Sequence, residues 1–280
     1  MIDLHMHSIF SDGSCTPEEL VEEARCLNLS AISLTDHDTI KGIDRFLKAA
    51  NTTKVRPIPG VEISAEYPSG EMHILGYFID PNHSKLNEKL EWIRSGRESR
   101  NQEILDKLNQ LGLTLAWDEV SSFAGDEVVG RPHFAQALMA RGYVSTKKEA
   151  FNKYLATGKP ACAQRRQLSP EASLEVIRDA GGVPVLAHPF TVRLDPENFR
   201  QCLSDLCDQG LGGLEVYYSE HNEERVKIYL PYAKEFNLAP SGGSDFHGAM
   251  SPGIKMGHGF GSLEVPDELL GELESRSCSN

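Results

Sequence analysis

The chain has 280 residues, 40% of them hydrophobic and 25% charged, and a formal net charge of −13. That length fits one large barrel or one domain with an insertion. No apolar run approaches the roughly 18 residues of a membrane helix, and the acidic balance argues against a general nucleic-acid coat.

The opening residues MIDLHMHS have no basic n-region and no small-residue cleavage site, so no signal peptide is expected. Cys15, Cys26, Cys162, Cys202, Cys207 and Cys278 form no C-x-x-C pair, which suits reduced thiols and a cytoplasmic location. Short apolar runs then alternate with helical patterns. A strand is predicted over 2–5 and a helix over 16–28, where Thr16 is the N-cap, Pro17 sits at N1 and Glu19 completes a capping box. A strand over 31–34, a helix over 42–50 and strands over 56–63 and 72–79 follow. Ser169 and Pro170 open a helix that stops at Gly181-Gly182. Beyond it come a strand over 183–187, a helix over 196–209, a strand over 214–218, a helix over 221–236 with a kink at Pro231, and a short strand over 238–241. Repeated βα units imply a parallel sheet, open or closed. Residues 86–167 break this rhythm with helical patterns alone. The expected organisation is a barrel of residues 1–99 and 167–280 with a helical insertion, 100–166, capping it. Residues 131–166 carry eight basic side chains and one acid, so this stretch is +7 and the remainder −20. It reads either as a solvated helical face or as a surface for an anion.

The candidate chemistry sits at the predicted strand ends. His5 and His7, at i and i+2 on a strand, face the same way and can offer two imidazoles to one metal. Asp12 follows in a Ser-Asp-Gly turn able to fold a carboxylate back over them. Thr35-Asp36-His37-Asp38, Gly60-Val61-Glu62-Ile63-Ser64, Met72-His73-Ile74, Ala187-His188-Pro189 and Gly243-Ser244-Asp245-Phe246-His247 each place a ligand-type residue at or just beyond an apolar strand. That is the edge where βα barrels build active sites. Asp36 and Asp38 read either as orienting the His37 imidazole or as capping the next helix. Arg131 and His133 read as phosphate contacts, since arginine offers a bidentate fork, or as a helix start with proline at N1. His221 is a phosphate contact or acid, or simply a helix-start histidine. Tyr217, Tyr218 and Phe190 stack a base or pack the core.

The opening D-L-H-x-H-S-x-x-S-D-G, with T-D-H-D, G-V-E-I-S, A-H-P and G-S-D-F-H, resembles the polymerase-and-histidinol-phosphatase (PHP) superfamily in order and spacing. The stretch Gly130-Arg131-Pro132-His133-Phe134-Ala135 is similar to the branch that contains nucleoside 3′,5′-bisphosphate phosphatases and 5′→3′ exoribonucleases. The resemblance implies an α/β fold, a distorted (β/α)₇ barrel, with two to three divalent metals. It implies that His5, His7, Glu62 and Asp245 hold one ion, that Glu62 bridges to a second held by His73 and His188, and that Asp12, His37 and His247 hold a third. Histidine-rich ligation without cysteine favours manganese, iron or zinc, with manganese first. The implied activity is hydrolysis of the 3′-phosphate of nucleoside 3′,5′-bisphosphates, with 5′→3′ trimming of short 5′-phosphorylated RNA. Arg131 and His221 are the catalytic candidates, and Arg131, His133 and His221 the substrate contacts. The partners expected are a nucleotide or short RNA, with no membrane and no obligatory protein partner. Two competing readings are a histidinol-phosphate phosphatase and a non-catalytic metal-binding module.

Overall fold

Seven strands form one sheet in sequence order: β1 (Ile2–Asp3), β2 (Ala31–Leu34), β3 (Arg56–Ala65), β4 (Met72–Tyr77), β5 (Val183–Leu186), β6 (Gly213–Tyr218) and β7 (Ala239–Gly243). The computed structural model describes residues 1–68, 70–124, 129–156, 158–163 and 166–277. The first and last strands meet beyond their ends. Leu4 N donates to Gly242 O (3.1 Å), Asp245 N to His5 O (2.8 Å) and His7 N to Phe246 O (2.9 Å), which curls the sheet into a nearly closed barrel. Gly243 permits this approach, because a Cβ there would meet His5 N at 2.3 Å. β2 and β5 are buried at every position, as strands covered on both faces must be. An apolar cluster joins the strands through Ile2, Ile58, Leu75, Tyr77, Val185 and Ala239.

The helices begin where their caps dictate. Thr16 and Glu19 close a reciprocal capping box on Pro17–Cys26, Ser169 caps Pro170–Asp179, Asp195 caps Pro196–Asp208, and Asn222 caps Glu223–Glu235, which contains Pro231. Each cap oxygen satisfies amides that the first helical turn leaves unpaired.

One expectation is corrected. The sheet is not parallel throughout: β4 runs antiparallel to both β3 and β5. Residues 66–71 are too few for the crossover that a parallel neighbour requires, so β3 and β4 form a hairpin. His73 therefore lies at the beginning of its strand, not at its end. Because β4 is reversed, its beginning sits at the same rim as the ends of the parallel strands.

The chain divides into two compact units, residues 1–90 with 167–280, and residues 91–166. The dividing point falls inside the helix Ser84–Gln110. The second unit has its own apolar cluster, including Ile104, Leu108, Val120, Phe134, Leu138 and Leu155. Its described elements are helical: Trp117–Ser122, Arg131–Ala140, and Lys147–Ala150 running into a wider turn over Phe151–Leu155.

Candidate metal centre

Nine side chains from six segments converge at one rim of the barrel. Their donor atoms fall into four overlapping groups: His7, Asp12, His37 and His247; His5, His7 and Asp245; His5, Glu62 and His188; and His37, Glu62 and His73. Every ligand position singled out in the sequence is among them. Glu62, fully buried on β3, is the hub. Its Oε2 faces His5 Nε2 (3.2 Å), His7 Nε2 (3.2 Å) and His37 Nδ1 (3.0 Å). Its Oε1 faces His73 Nδ1 (2.9 Å) and His188 Nε2 (3.0 Å). The hairpin explains the His73 contact, because Ser64 pairs with His73 and Glu62 with Leu75, making Glu62 and His73 diagonal neighbours on one face.

The loops after the strands aim the remaining ligand candidates. Asp36 accepts from Ser8 N (2.7 Å), Ser8 Oγ (2.7 Å) and Ser11 Oγ (2.7 Å). Its carboxylate thus organises the loop after His7 and does not orient His37, as the sequence had suggested. In the turn that follows, a Cβ at Gly13 would meet His7 O at 2.2 Å, so glycine allows the fold that carries Asp12 over the rim. Asp12 then lies 3.3 Å from His247 Nε2 and 3.7 Å from His37 Nε2. Asp38 accepts from Ser64 N (3.0 Å) and fastens the loop after β2 to the end of β3. Asp38, His188 and Asp245 all have positive φ (53°, 24° and 57°), a strained conformation for non-glycine residues that gathers at functional sites.

The electrostatics are those of a site built for cations. Burial alone would raise the Glu62 pKa, but His37, His5, His73 and His188 hold it well below the usual carboxylate range. Burial would lower His7, yet Asp245 and Glu62 push it up to about 10. For His37 burial wins over Glu62 and Asp12, and its pKa falls to about 3. His5 Nε2, His7 Nε2, His37 Nδ1 and Glu62 Oε2 are buried without a hydrogen bond of acceptable geometry. Donor atoms held about 2.0–2.2 Å from one ion lie about 2.9–3.5 Å apart, which is the spacing around Glu62. The residues fit divalent metals.

Of the other candidates, His221 is buried against Tyr218, Phe190 and Tyr229. Its Nδ1 donates to Val216 O (2.8 Å), and burial lowers its pKa, which favours the neutral ring. Arg131 and His133 belong to the second unit. Arg131 Nη1 donates to Leu155 O (3.4 Å), and His133 Nδ1 accepts from Gly130 N (3.0 Å) at the start of their helix.

Two carboxylates with no role assigned from the sequence support the rim, together with one backbone carbonyl. Asp3 accepts from Ser244 N (2.8 Å), Ser244 Oγ (2.6 Å) and Gly257 N (2.7 Å), clamping the first segment to the one that bears Asp245. Glu215 bonds His5 and the backbone of His188. The carbonyl is that of Glu71, which accepts from Thr191 Oγ1 (2.9 Å) beside His188. Tyr218, a stacking or core candidate, instead donates its hydroxyl to Asp245 Oδ2 (2.8 Å). A buried acid within an apolar strand is the sequence signal that could have found Asp3 and Glu215.

The PHP domain family model matches residues 3–156. A protein of Haemophilus influenzae named 5′-3′ exoribonuclease is 36% identical over 245 residues, covering 88% of this chain and 89% of its own. A protein of Chromobacterium violaceum named 3′,5′-nucleoside bisphosphate phosphatase is 32% identical over 276 residues, covering 98% and 97%. A solved structure from Chromobacterium violaceum, described as an amidohydrolase with bound sulfate and no metal, superposes with a TM-score of 0.80 at 31% identity and covers 100% of this chain and 98% of that one.

Proposed function

The chain belongs to the PHP domain family, and on that premise we propose that it is a metal-dependent phosphoesterase acting on nucleotides in the cytoplasm. Its substrate is a nucleoside 3′,5′-bisphosphate, which loses its 3′-phosphate, and the same site trims short 5′-phosphorylated RNA from the 5′ end. One observation carries this reading: all nine ligand candidates are present and gathered at one rim. The relatives named for both activities align over almost the full chain.

His5, His7, Glu62 and Asp245 would hold one ion, Glu62 with His73 and His188 a second, and Asp12, His37 and His247 a third, with manganese favoured over iron or zinc. Bound there, such ions supply positive charge to phosphoryl oxygens and acidify water toward neutral pH. The protein's own groups do the rest. Glu62 and Asp245 keep the imidazole nitrogens convergent, and the Tyr218 hydroxyl fixes one oxygen of Asp245. Neutral His221 stands beside His188 and Tyr218 as a candidate to handle the proton of the departing 3′-oxygen. Arg131 and His133 are assigned to the substrate's second phosphate. What supports that role is the +7 charge of residues 131–166 within a −13 chain.

The two activities are one displacement. In each the P–O3′ bond breaks, water's oxygen joins phosphorus, and the 3′-oxygen leaves with a proton. With a bisphosphate the products are a 5′-mononucleotide and inorganic phosphate. With RNA they are a 5′-mononucleotide and a strand with a new 5′-phosphate. The deciding assay compares phosphate release from adenosine 3′,5′-bisphosphate and from histidinol phosphate by manganese-loaded protein. Preference for the bisphosphate is expected. Preference for histidinol phosphate, or turnover of neither, overturns the reading.

A further inference from the structure

β6 carries a carboxylate that no metal in this scheme requires. Glu215 is fully buried, and both of its oxygens are occupied. Oε1 lies 2.9 Å from His5 Nδ1, and Oε2 accepts from the backbone N–H of His188 at 2.6 Å. It therefore ties together two segments that reach the rim from different strands. β6 is irregular at this point: Glu215 pairs with Ser241 and Tyr217 with Gly242, so Val216 is an extra residue. Such a bulge re-aims neighbouring side chains. Here it leaves the Val216 carbonyl to accept from His221 Nδ1 while Glu215 faces the two histidines.

We propose that Glu215 is a positioning residue that fixes His5 as its Nδ1–H tautomer and holds the His188 peptide, so that both imidazoles present Nε2 lone pairs to the cluster around Glu62. His5 Nε2 then lies 3.2 Å from Glu62 Oε2 and 3.4 Å from Asp245 Oδ1. His188 Nε2 lies 3.0 Å from Glu62 Oε1, with its Nδ1 turned to Thr191 Oγ1 at 3.1 Å. A ligating imidazole whose other nitrogen donates to a carboxylate keeps one tautomer and one orientation, and it is a more basic ligand. His188 has a further need for an anchor, because its φ of 24° is strained. One carboxylate thus serves two ligand groups at once, His5 with His7 and Asp245, and His188 with Glu62.

The inference rests on the metal reading above, and Glu215→Gln tests it separately. Glutamine is nearly isosteric but offers one acceptor where two are needed. If its amide N–H₂ faces His5, that ring must move its proton to Nε2, where it blocks the cluster. If it faces His188, two donors oppose each other across 2.6 Å. The full chain is stripped of metal, and Mn²⁺ binding to wild type and variant is followed by calorimetry. The variant is expected to bind about 10–100-fold more weakly while keeping the wild-type circular dichroism spectrum. Wild type that binds no Mn²⁺ refutes the metal reading, whereas equal binding by the two proteins refutes only the role of Glu215. The second measurement needs no variant that folds in altered form: long-range ¹H–¹⁵N correlation of wild-type imidazoles loaded with Zn²⁺. A His5 ring protonated at Nδ1 and bare of protons at Nε2 supports the proposal, and the opposite tautomer overturns it.

Discussion

Replacing Glu62 by glutamine tests the hub of the site most directly. Its two oxygens meet different partners, His5, His7 and His37 on one side and His73 and His188 on the other. It also belongs to two of the four donor groups. Glutamine keeps the volume and one oxygen but removes the charge and puts an N–H₂ where an acceptor stood. Both groups should fail together, so elemental analysis of manganese-grown protein should find about two fewer ions than in wild type. Phosphate release from adenosine 3′,5′-bisphosphate should fall on the order of 10³-fold or more, equivalent to about 4 kcal/mol of transition-state stabilisation. His247→Gln is the control. It belongs to the donor group of His7, Asp12 and His37 alone, and should cost a single ion. A Glu62→Gln protein with full metal content and full rate would refute the reasoning, as would loss of one ion from both variants.

Three further outcomes are expected. Arg131→Ala should weaken turnover of the bisphosphate by about 1.5–3 kcal/mol and scarcely affect a generic aryl phosphate; equal losses on both substrates would assign Arg131 to folding. On 3′-labelled oligoribonucleotides, a 5′-monophosphate should speed degradation at least about tenfold over a 5′-hydroxyl, a difference of about 1.4 kcal/mol, and internal or 3′-initiated cleavage would contradict the shared displacement. Metal-free protein should lose thermal stability as pH rises. Burial disfavours charged His7, but Asp245 and Glu62 raise its folded pKa to about 10, so its contribution is complete below the unfolded value near 6.5 and fades as pH climbs toward 10. Manganese-loaded protein should lack this slope in melting curves between pH 6 and 10, because a metal replaces the proton.

Most of the ligand candidates were legible because they lie in short polar motifs after an apolar run, as His188 does after Val183–Leu186, whereas His73 opens its strand. Glu215 was harder to read, since it lies inside Gly213–Tyr218 and its use depends on a bulge created by pairing with β7. The direction of β4 was also missed. Alternation marks a strand but not its direction, and only the short link 66–71 carried that information. Asp36 adjoins His37 in sequence, yet its carboxylate is taken by Ser8 and Ser11 of the first loop. Neighbours along a chain are poor guides to side-chain partners once the backbone turns at a strand end. The caps were read correctly because they are local, as Thr16 and Glu19 show.

The seam between the first and last strands has a consequence for how the enzyme comes into being. Asp3 and Ser244, 241 residues apart, share a buried hydrogen bond beside the ligand candidates His5 and Asp245. Closing a loop of that length costs about 5 kcal/mol of chain entropy beyond a constant, and contacts so distant in sequence form slowly. His5 and His7 lie on one side of this seam and Asp245 and His247 on the other, so they meet only when it closes. A chain whose seam is still open therefore lacks the gathered donor groups. Ions held there as proposed would act as a clasp on the closed barrel, coupling the proposed activity to closure of the seam.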